Sequence, residues 1–158
     1  MYQRARHNAK KLIDLCWDGT VPVDLSNFFP DLDVDLHYAD ISPILGLVAK
    51  NVDEKPVMVV SSSLPERRSR LVTAQLMGHV TERAASGFSD SYSFGKYPGG
   101  SKGYDVFAFF ADEFAESLLM PAYVFDPESG SPYELSNRFN VPIVTAEHRI
   151  ERLRKHPE

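Results

Sequence analysis

The residues whose spacing suits chemistry lie on one stripe in the middle of the chain. Residues 70–79 read Arg-Leu-Val-Thr-Ala-Gln-Leu-Met-Gly-His, so Leu71, Gln75 and His79 recur at intervals of four. Residues four apart share one face of a helix. Zinc hydrolases use this spacing as His-Glu-x-x-His, in which two histidines bind the metal and the glutamate activates water. In this chain Gln75 and Leu76 stand at the first two positions of that pattern, and His79 alone matches it.

The two motifs around this stripe resemble those of the ImmA/IrrE family of metallopeptidase-like proteins. The family's first motif, Arg-x-x-x-Ala-His-Glu-Leu-Gly-His, is matched at Arg70, Ala74, Gly78 and His79. Its second motif is Glu-Ala-Asn/Asp-x-Phe-Ala-x-x-Leu-Leu-Met-Pro. This motif is matched at Ala111, Asp112, Phe114, Ala115, Leu118, Leu119, Met120 and Pro121. The likeness extends over nearly the whole chain, and residues 86–104 are its least familiar part.

This chain departs from the family motifs at the positions that are functional in the family. The resemblance places Gln75 at the first zinc-binding histidine, Leu76 at the catalytic glutamate and Phe110 at the third metal ligand. A glutamine amide oxygen is a weak zinc donor, leucine cannot accept a proton, and phenylalanine offers only a ring. His79 alone would not hold zinc with useful affinity. We therefore predict a protein with no catalytic residue, no bound zinc and no cofactor.

A rebuilt metal site is the alternative. Glu82 follows His79 by three residues, and Glu113 follows Phe110 by one helical turn. His79, Glu82 and Glu113 could together supply one imidazole and two carboxylates. The inverted motif His-x-x-Glu-His would need a histidine at position 83, where the chain has Arg83.

The resemblance implies an α+β, zincin-like metallopeptidase fold. It has a small sheet of about three strands, two long active-site helices and a C-terminal helical extension. Residue patterns predict helices at 4–17, 64–85 and 107–120, a short helix from Val23 that Pro30 stops, and strands at 33–38, 44–50 and 57–60. We expect a first domain at residues 1–125 and a helical extension at 133–158, with a Pro/Gly/Ser linker from 126 to 132.

Residues 86–104 have a composition of their own. Five of the nine glycines fall here, mixed with serine and aromatic residues. This predicts a long loop beside the former active site. Its aromatic side chains would supply adhesive area for a partner. The predicted partner-binding residues are Phe88, Tyr92, Phe94, Tyr97 and Tyr104.

The tail predicts two short helices, at 133–139 and 145–154, that resemble a helix-turn-helix. Basic residues cluster at its end: His148, Arg149, Arg152, Arg154 and Lys155. Such a pair can read DNA, although many only pack. Glu147 and Glu151 are interleaved on the second helix, so DNA binding stays the less favoured interpretation.

Composition and net charge restrict the kinds of protein and of binding site that are compatible with the chain. The 158 residues include 17 basic and 22 acidic side chains, a net charge of −5, which disfavours a broad duplex-binding surface. The single cysteine, Cys16, excludes an internal disulfide and a cysteine-cluster zinc site. No apolar run approaches the ~20 residues of a membrane span, and the first residues lack an apolar signal core. We predict a cytoplasmic protein with no membrane partner.

Relatives with an intact motif cleave repressor-like transcription regulators, and that is what the resemblance implies about partners. The leading hypothesis is a metallopeptidase-like protein that has lost its activity. It would bind a transcription regulator, or a phage or mobile-element protein, through the former substrate groove. Two alternatives stay open: an active zinc endopeptidase with an atypical site, and a DNA-binding regulator that uses the C-terminal helices.

Overall fold

The computed structural model describes residues 1–85, 90–100 and 106–158, which form a mixed α+β structure. The predicted fold class is confirmed at that level. The helices are α1 (Tyr2–Cys16), α2 (Phe29–Leu32), α3 (Glu66–Ala85), α4 (Val106–Leu119), α5 (Pro132–Phe139) and α6 (Ile143–Lys155). The strands are β1 (Asp35–Ala39), β2 (Gly46–Lys50), β3 (Val57–Ser61) and β4 (Tyr92–Lys96). Single 3₁₀ turns lie at Leu25–Phe28 and Ala122–Val124.

The sheet has four described strands in the order β1-β3-β2-β4, so the prediction of about three strands was wrong. β1 runs parallel to β3, whereas β2 is antiparallel to both β3 and β4. The fourth strand lies inside residues 86–104, where the glycine content predicted only loop. In β4 the half-buried Tyr92 and Phe94 alternate with the exposed Ser93 and Gly95, and this period of two is typical of an edge strand. The rest of the predicted loop, at 86–89 and 101–105, lies outside the described residues.

The sequence predicts that Pro30 stops the short helix that begins at Val23. In the structure Pro30 does not stop a helix. It stands in the first turn of α2, where a missing backbone N–H costs nothing because that group has no helical acceptor. The chain turns instead at Asp33, whose left-handed φ of 49° ends α2 before β1 begins.

Helix α3 lies directly on the sheet because β2 carries a glycine where the two meet. A Cβ atom at Gly46 would be 2.6 Å from Val72 Cγ1 and 3.1 Å from Leu76 Cδ1. Val72 and Leu76 therefore pack against the backbone of β2, and this contact fixes the rotation of α3 about its axis.

Helices α3 and α4 approach each other at a second glycine. A Cβ atom at Gly78 would be 3.1 Å from both Ala111 Cα and Phe114 Cδ1. Contacts of that length are tighter than ordinary van der Waals packing. The close approach brings the side chains at the two family motifs to one place.

The C-terminal helices share the main core. Leu135, Phe139 and Ile150 belong to the same buried hydrophobic cluster as the residues of α3 and α4. Arg70 of the first motif connects α3 to two other parts of the chain. Its Nε donates to the carbonyl of Asn140, after α5, at 3.1 Å, and its Nη2 donates to the carbonyl of Val23, after α1, at 2.9 Å. Within the described ranges, no helix has the length and apolar character needed to cross a bilayer.

The substitution Gly78→Ala tests the helix contact. Alanine is the better helix former by about 1 kcal/mol, so helix propensity alone would raise the free energy of unfolding. The tight contacts with Ala111 and Phe114 act in the opposite direction, and overpacking costs about 1–3 kcal/mol. We expect a net loss of up to about 2 kcal/mol in the free energy of unfolding, measured by urea denaturation. A variant more stable than the wild type would show that the helices have room to separate.

Candidate functional site

Gln75 and Asp112 join the two motif helices. Gln75 Nε2 donates a hydrogen bond of 2.7 Å to Asp112 Oδ1, and Lys96 Nζ of β4 lies 3.5 Å from the same oxygen. Gln75 is only 6% exposed, and its Oε1 is buried with no hydrogen-bond partner in the described part of the chain. At the position that the resemblance assigns to a metal-binding histidine, the chain therefore has a neutral amide, and its N–H donates to a carboxylate.

His79, which alone matches the His-Glu-x-x-His pattern, lies against an aromatic ring. Its imidazole stacks on Phe94 of β4, with ring centroids 4.6 Å apart and planes 16° apart. The Arg83 guanidinium lies over Phe94 at 4.9 Å and over Tyr92 at 5.5 Å, within the range of cation–π attraction. The β4 strand therefore covers one face of the imidazole.

The predicted partner-binding aromatics take different positions. Tyr92 and Phe94 are half-buried in this ring cluster, whereas Tyr97 is well exposed. Phe88 and Tyr104 lie outside the described residues.

Leu76 and Phe110, at the other two functional positions, are both buried in the core. Leu76 contacts the region of Gly46, and the Phe110 ring is stacked with that of Phe114 at 6.4 Å. Neither position faces an open coordination site. A carboxylate at either one would enter packed apolar surroundings.

The residues of the rebuilt-site alternative point to different partners. Glu82 pairs with Arg4 at 3.1 Å. The fully buried Glu113 accepts hydrogen bonds from Arg6 Nε at 2.6 Å and from Arg152 Nη1 at 3.1 Å. No group of three or more His, Cys, Asp or Glu side chains among the described residues could hold a metal ion, so His79, Glu82 and Glu113 do not form one. The donor set does not fit the family's zinc.

A groove of about 370 Å³ opens beside Gln75, between α3, α4, α6 and the sheet; we refer to it as the Gln75 groove. Its polar side carries Gln75, Asp112, Lys96 and Glu116. The remaining lining residues are Leu45, Leu71, Val72, Pro142 and Val144, which are apolar, and Arg68, Thr145 and His148, which are polar. The surface thus combines apolar walls with hydrogen-bonding groups, as sites for peptides and small molecules do.

Glu116 is one residue of this groove that the sequence did not identify as functional. It occupies an unspecified position of the second motif, and its only signal was its place four residues after Asp112, on the same face of α4. Its Oε2 accepts a hydrogen bond of 3.1 Å from Arg152 Nη1. Burial raises the pKa of Glu116 to about 8, while Arg152 opposes the rise. The carboxyl is therefore mostly protonated at neutral pH.

The basic residues of the tail are largely used inside the molecule. Arg149 is fully buried, and its Nε donates to the Met120 carbonyl at 3.2 Å. Arg152 pairs with Glu113 and Glu116 of α4. Lys155 pairs with Glu151 on the surface of α6 at 2.6 Å. Arg149 and Arg152 are therefore engaged with α4 and the Met120 carbonyl, and the cations that α6 presents to solvent are Arg154 and Lys155.

The comparisons with known proteins add no relative. No protein-family model matches the chain, and no curated protein matches its sequence. The likeness to the ImmA/IrrE family rests on the two sequence motifs.

The pKa of Glu116 makes a pH-dependent contribution to stability. Between its unfolded value near 4.5 and about 8, the folded protein holds a proton that the unfolded chain has lost. Stability from this group is therefore present below pH 4.5 and lost as the pH rises toward 8. Glu116→Gln should lessen the fall in unfolding free energy between pH 5 and pH 8 by on the order of a few kcal/mol.

The matched control for this pH series is Glu147→Gln, which changes an exposed carboxylate on α6. In chemical denaturation at each pH, the unfolding free energy of this control should vary with pH as that of the wild type does. If Glu116→Gln also showed the wild-type variation, the Glu116 carboxyl would be ionised in the folded protein.

Proposed function

We propose that this chain is an ImmA/IrrE-type metallopeptidase-like protein that binds a segment of a partner protein in the Gln75 groove without cleaving it. The partner class is a transcription regulator, or another phage or mobile-element protein. The observation that carries the proposal is the hydrogen bond of 2.7 Å between Gln75 and Asp112. It joins the two helices with a neutral amide at the position where active relatives place a metal ligand.

The chemistry of the neighbouring side chains supports the loss of hydrolysis. A peptide bond is cleaved by water only when a base takes up the proton and a positive group stabilises the oxyanion. Leu76 stands where the base would be, and its alkyl side chain is buried. The His79 imidazole is stacked on Phe94.

The groove itself suits an extended peptide. Leu45, Leu71 and Val144 offer apolar walls for side chains. Among the described residues the buried Gln75 Oε1 is an acceptor without a donor, which costs about 1–3 kcal/mol until it is satisfied. A peptide N–H could supply that donor after a small movement of the groove wall. Lys96 is a donor for a peptide carbonyl at the same place.

Site-specific photocrosslinking tests the proposal. Val144 lines the groove and is 52% exposed, whereas Val52, 59% exposed, lies on the turn between β2 and β3. A benzophenone amino acid at position 144 should capture a discrete partner in cells of the source organism, and the same residue at position 52 should not. Mass spectrometry then identifies the partner and shows whether it is intact.

Two outcomes would contradict the proposal. Equal capture of the same protein from positions 144 and 52 would mean that the groove is not the contact surface. Cleavage of the captured partner by the purified protein would restore the active-peptidase alternative.

A zinc titration series addresses the metal directly. The wild type and the double variant Gln75→His/Leu76→Glu should not bind zinc tightly, because Phe110 stands at the third ligand. Adding Phe110→Glu should create tight binding, since three protein ligands plus one open position make a catalytic-type zinc site. Without zinc, each buried carboxylate should lower stability by about 1–3 kcal/mol. One equivalent of zinc on the wild type after dialysis would show that the third ligand has been misplaced.

A further inference from the structure

A second cavity, of about 350 Å³, lies between α1 and the turn that follows α4; we refer to it as the Arg6 cavity. Arg6, Lys10 and Ile13 line it from one face of α1. The opposite wall is formed by Ser117, Pro121, Ala122 and Tyr123, and Glu158 lies at one side. None of these residues lines the Gln75 groove, so this is a separate site.

The walls of the Arg6 cavity are mostly apolar and its rim is polar. Ile13 and Ser117 are buried at its base, whereas Lys10 and Tyr123 reach solvent. Small-molecule sites have about 300–1,000 Å³ and are lined by apolar side chains with few polar groups. The Arg6 cavity has both properties, at the small end of that range.

Arg6 is the most buried of the charged residues that line the cavity, and one of its N–H donors has no acceptor among the described residues. The Arg6 side chain is 10% exposed. Its Nε donates to Glu113 Oε1 at 2.6 Å, and its Nη1 donates to the His156 carbonyl at 2.6 Å. Its Nη2 is buried and has no acceptor among the described residues. A charged donor left unpaired is costly, and an anionic acceptor satisfies it best.

Arg6 belongs to a cluster of cationic and carboxyl side chains. Three guanidinium groups, those of Arg6, Arg149 and Arg152, contact the carboxyl groups of Glu113, Glu116 and Glu158. Burial raises the pKa of Glu116 to about 8, so this carboxyl offers the guanidinium groups less negative charge at pH 7 than an ionised carboxylate would. The cluster therefore favours an additional anion beside its buried cations.

We propose that the Arg6 cavity binds a small organic monocarboxylate, with its carboxylate on Arg6 Nη2 and an apolar tail against Ile13, Ala122 and Tyr123. Besides the buried Glu113, the partly exposed Glu158 also contacts this guanidinium: its carboxylate lies 3.3 Å from Arg6 Nε and is 30% exposed. Glu158 therefore competes with the ligand for the same cation. No residue lines both this cavity and the partner-binding groove.

The test uses three probes and isothermal titration calorimetry. 4-Phenylbutanoate carries a carboxylate and an apolar tail, 4-phenylbutanamide has the same shape without the charge, and inorganic phosphate has the charge without the tail. We expect the carboxylate to bind at least about 10-fold more tightly than the amide, as charge-assisted hydrogen bonds imply. Phosphate at equal concentration should not displace it. Equal affinity of acid and amide, displacement by phosphate, or no binding of the acid would overturn the proposal.

Two variants locate the site while keeping the ion pair between Arg6 and the buried Glu113. Ala122→Phe fills the cavity and should weaken phenylbutanoate binding at least about 10-fold. Glu158→Gln removes the competing carboxylate and should strengthen it several-fold. The control Glu128→Gln changes an exposed carboxylate that pairs with Arg154, and it should leave the affinity unchanged.

Thermal melting of each variant confirms that it is folded before titration. Arg6→Gln is not used, because it would leave the buried Glu113 with fewer cations and could unfold the protein. If Ala122→Phe and Glu158→Gln both bound phenylbutanoate like the wild type, the acid would be bound elsewhere and the proposed site would be refuted.

Discussion

The approach of α3 to α4 at Gly78 determines which side chains of the candidate site can meet. With no Cβ at that point, Ala111 Cα and Phe114 come close enough that a methyl group would crowd them. Gln75, one turn before Gly78 on α3, then reaches Asp112, the neighbour of Ala111 on α4, at 2.7 Å. A longer separation of the helices would exceed the reach of a single side-chain pair.

The contact of α3 with the sheet adds the second restraint on this region. Because Leu76 packs toward Gly46, the neighbouring Gln75 faces away from the sheet and toward α4. On the side away from β3, strand β2 pairs with β4, whose Phe94 covers one face of His79. The same two glycine contacts thus place the amide beside a carboxylate and the imidazole beside a ring. Both arrangements follow from backbone packing, before any ligand is considered.

Local patterns predicted most elements but not the pairing of their side chains. The helical periods of α1, α3 and α4 and the β-branched runs of β2 and β3 were recognisable because each buries one face along consecutive residues. β4 was missed, since glycine and serine conceal its alternation and its partner strand lies about 45 residues earlier. The burial of the Arg149 side chain could not be predicted either. A sequence shows that a residue is basic, but not that a carboxylate from another helix will pair with it.

Glu116 is connected to the Arg6 cavity through shared hydrogen bonds. It lines the Gln75 groove, and its Oε2 shares the Arg152 Nη1 donor with Glu113 Oε2, each at 3.1 Å. The other oxygen of Glu113 accepts from Arg6 at 2.6 Å, and Arg6 lines the second cavity. An added negative charge beside Arg6 competes with Glu113 for that guanidinium and leaves Glu113 more dependent on Arg152. Any share of Arg152 that Glu113 gains is lost by Glu116, so the protonation of the groove carboxyl and the occupancy of the Arg6 cavity must be linked, and the linkage acts equally in both directions.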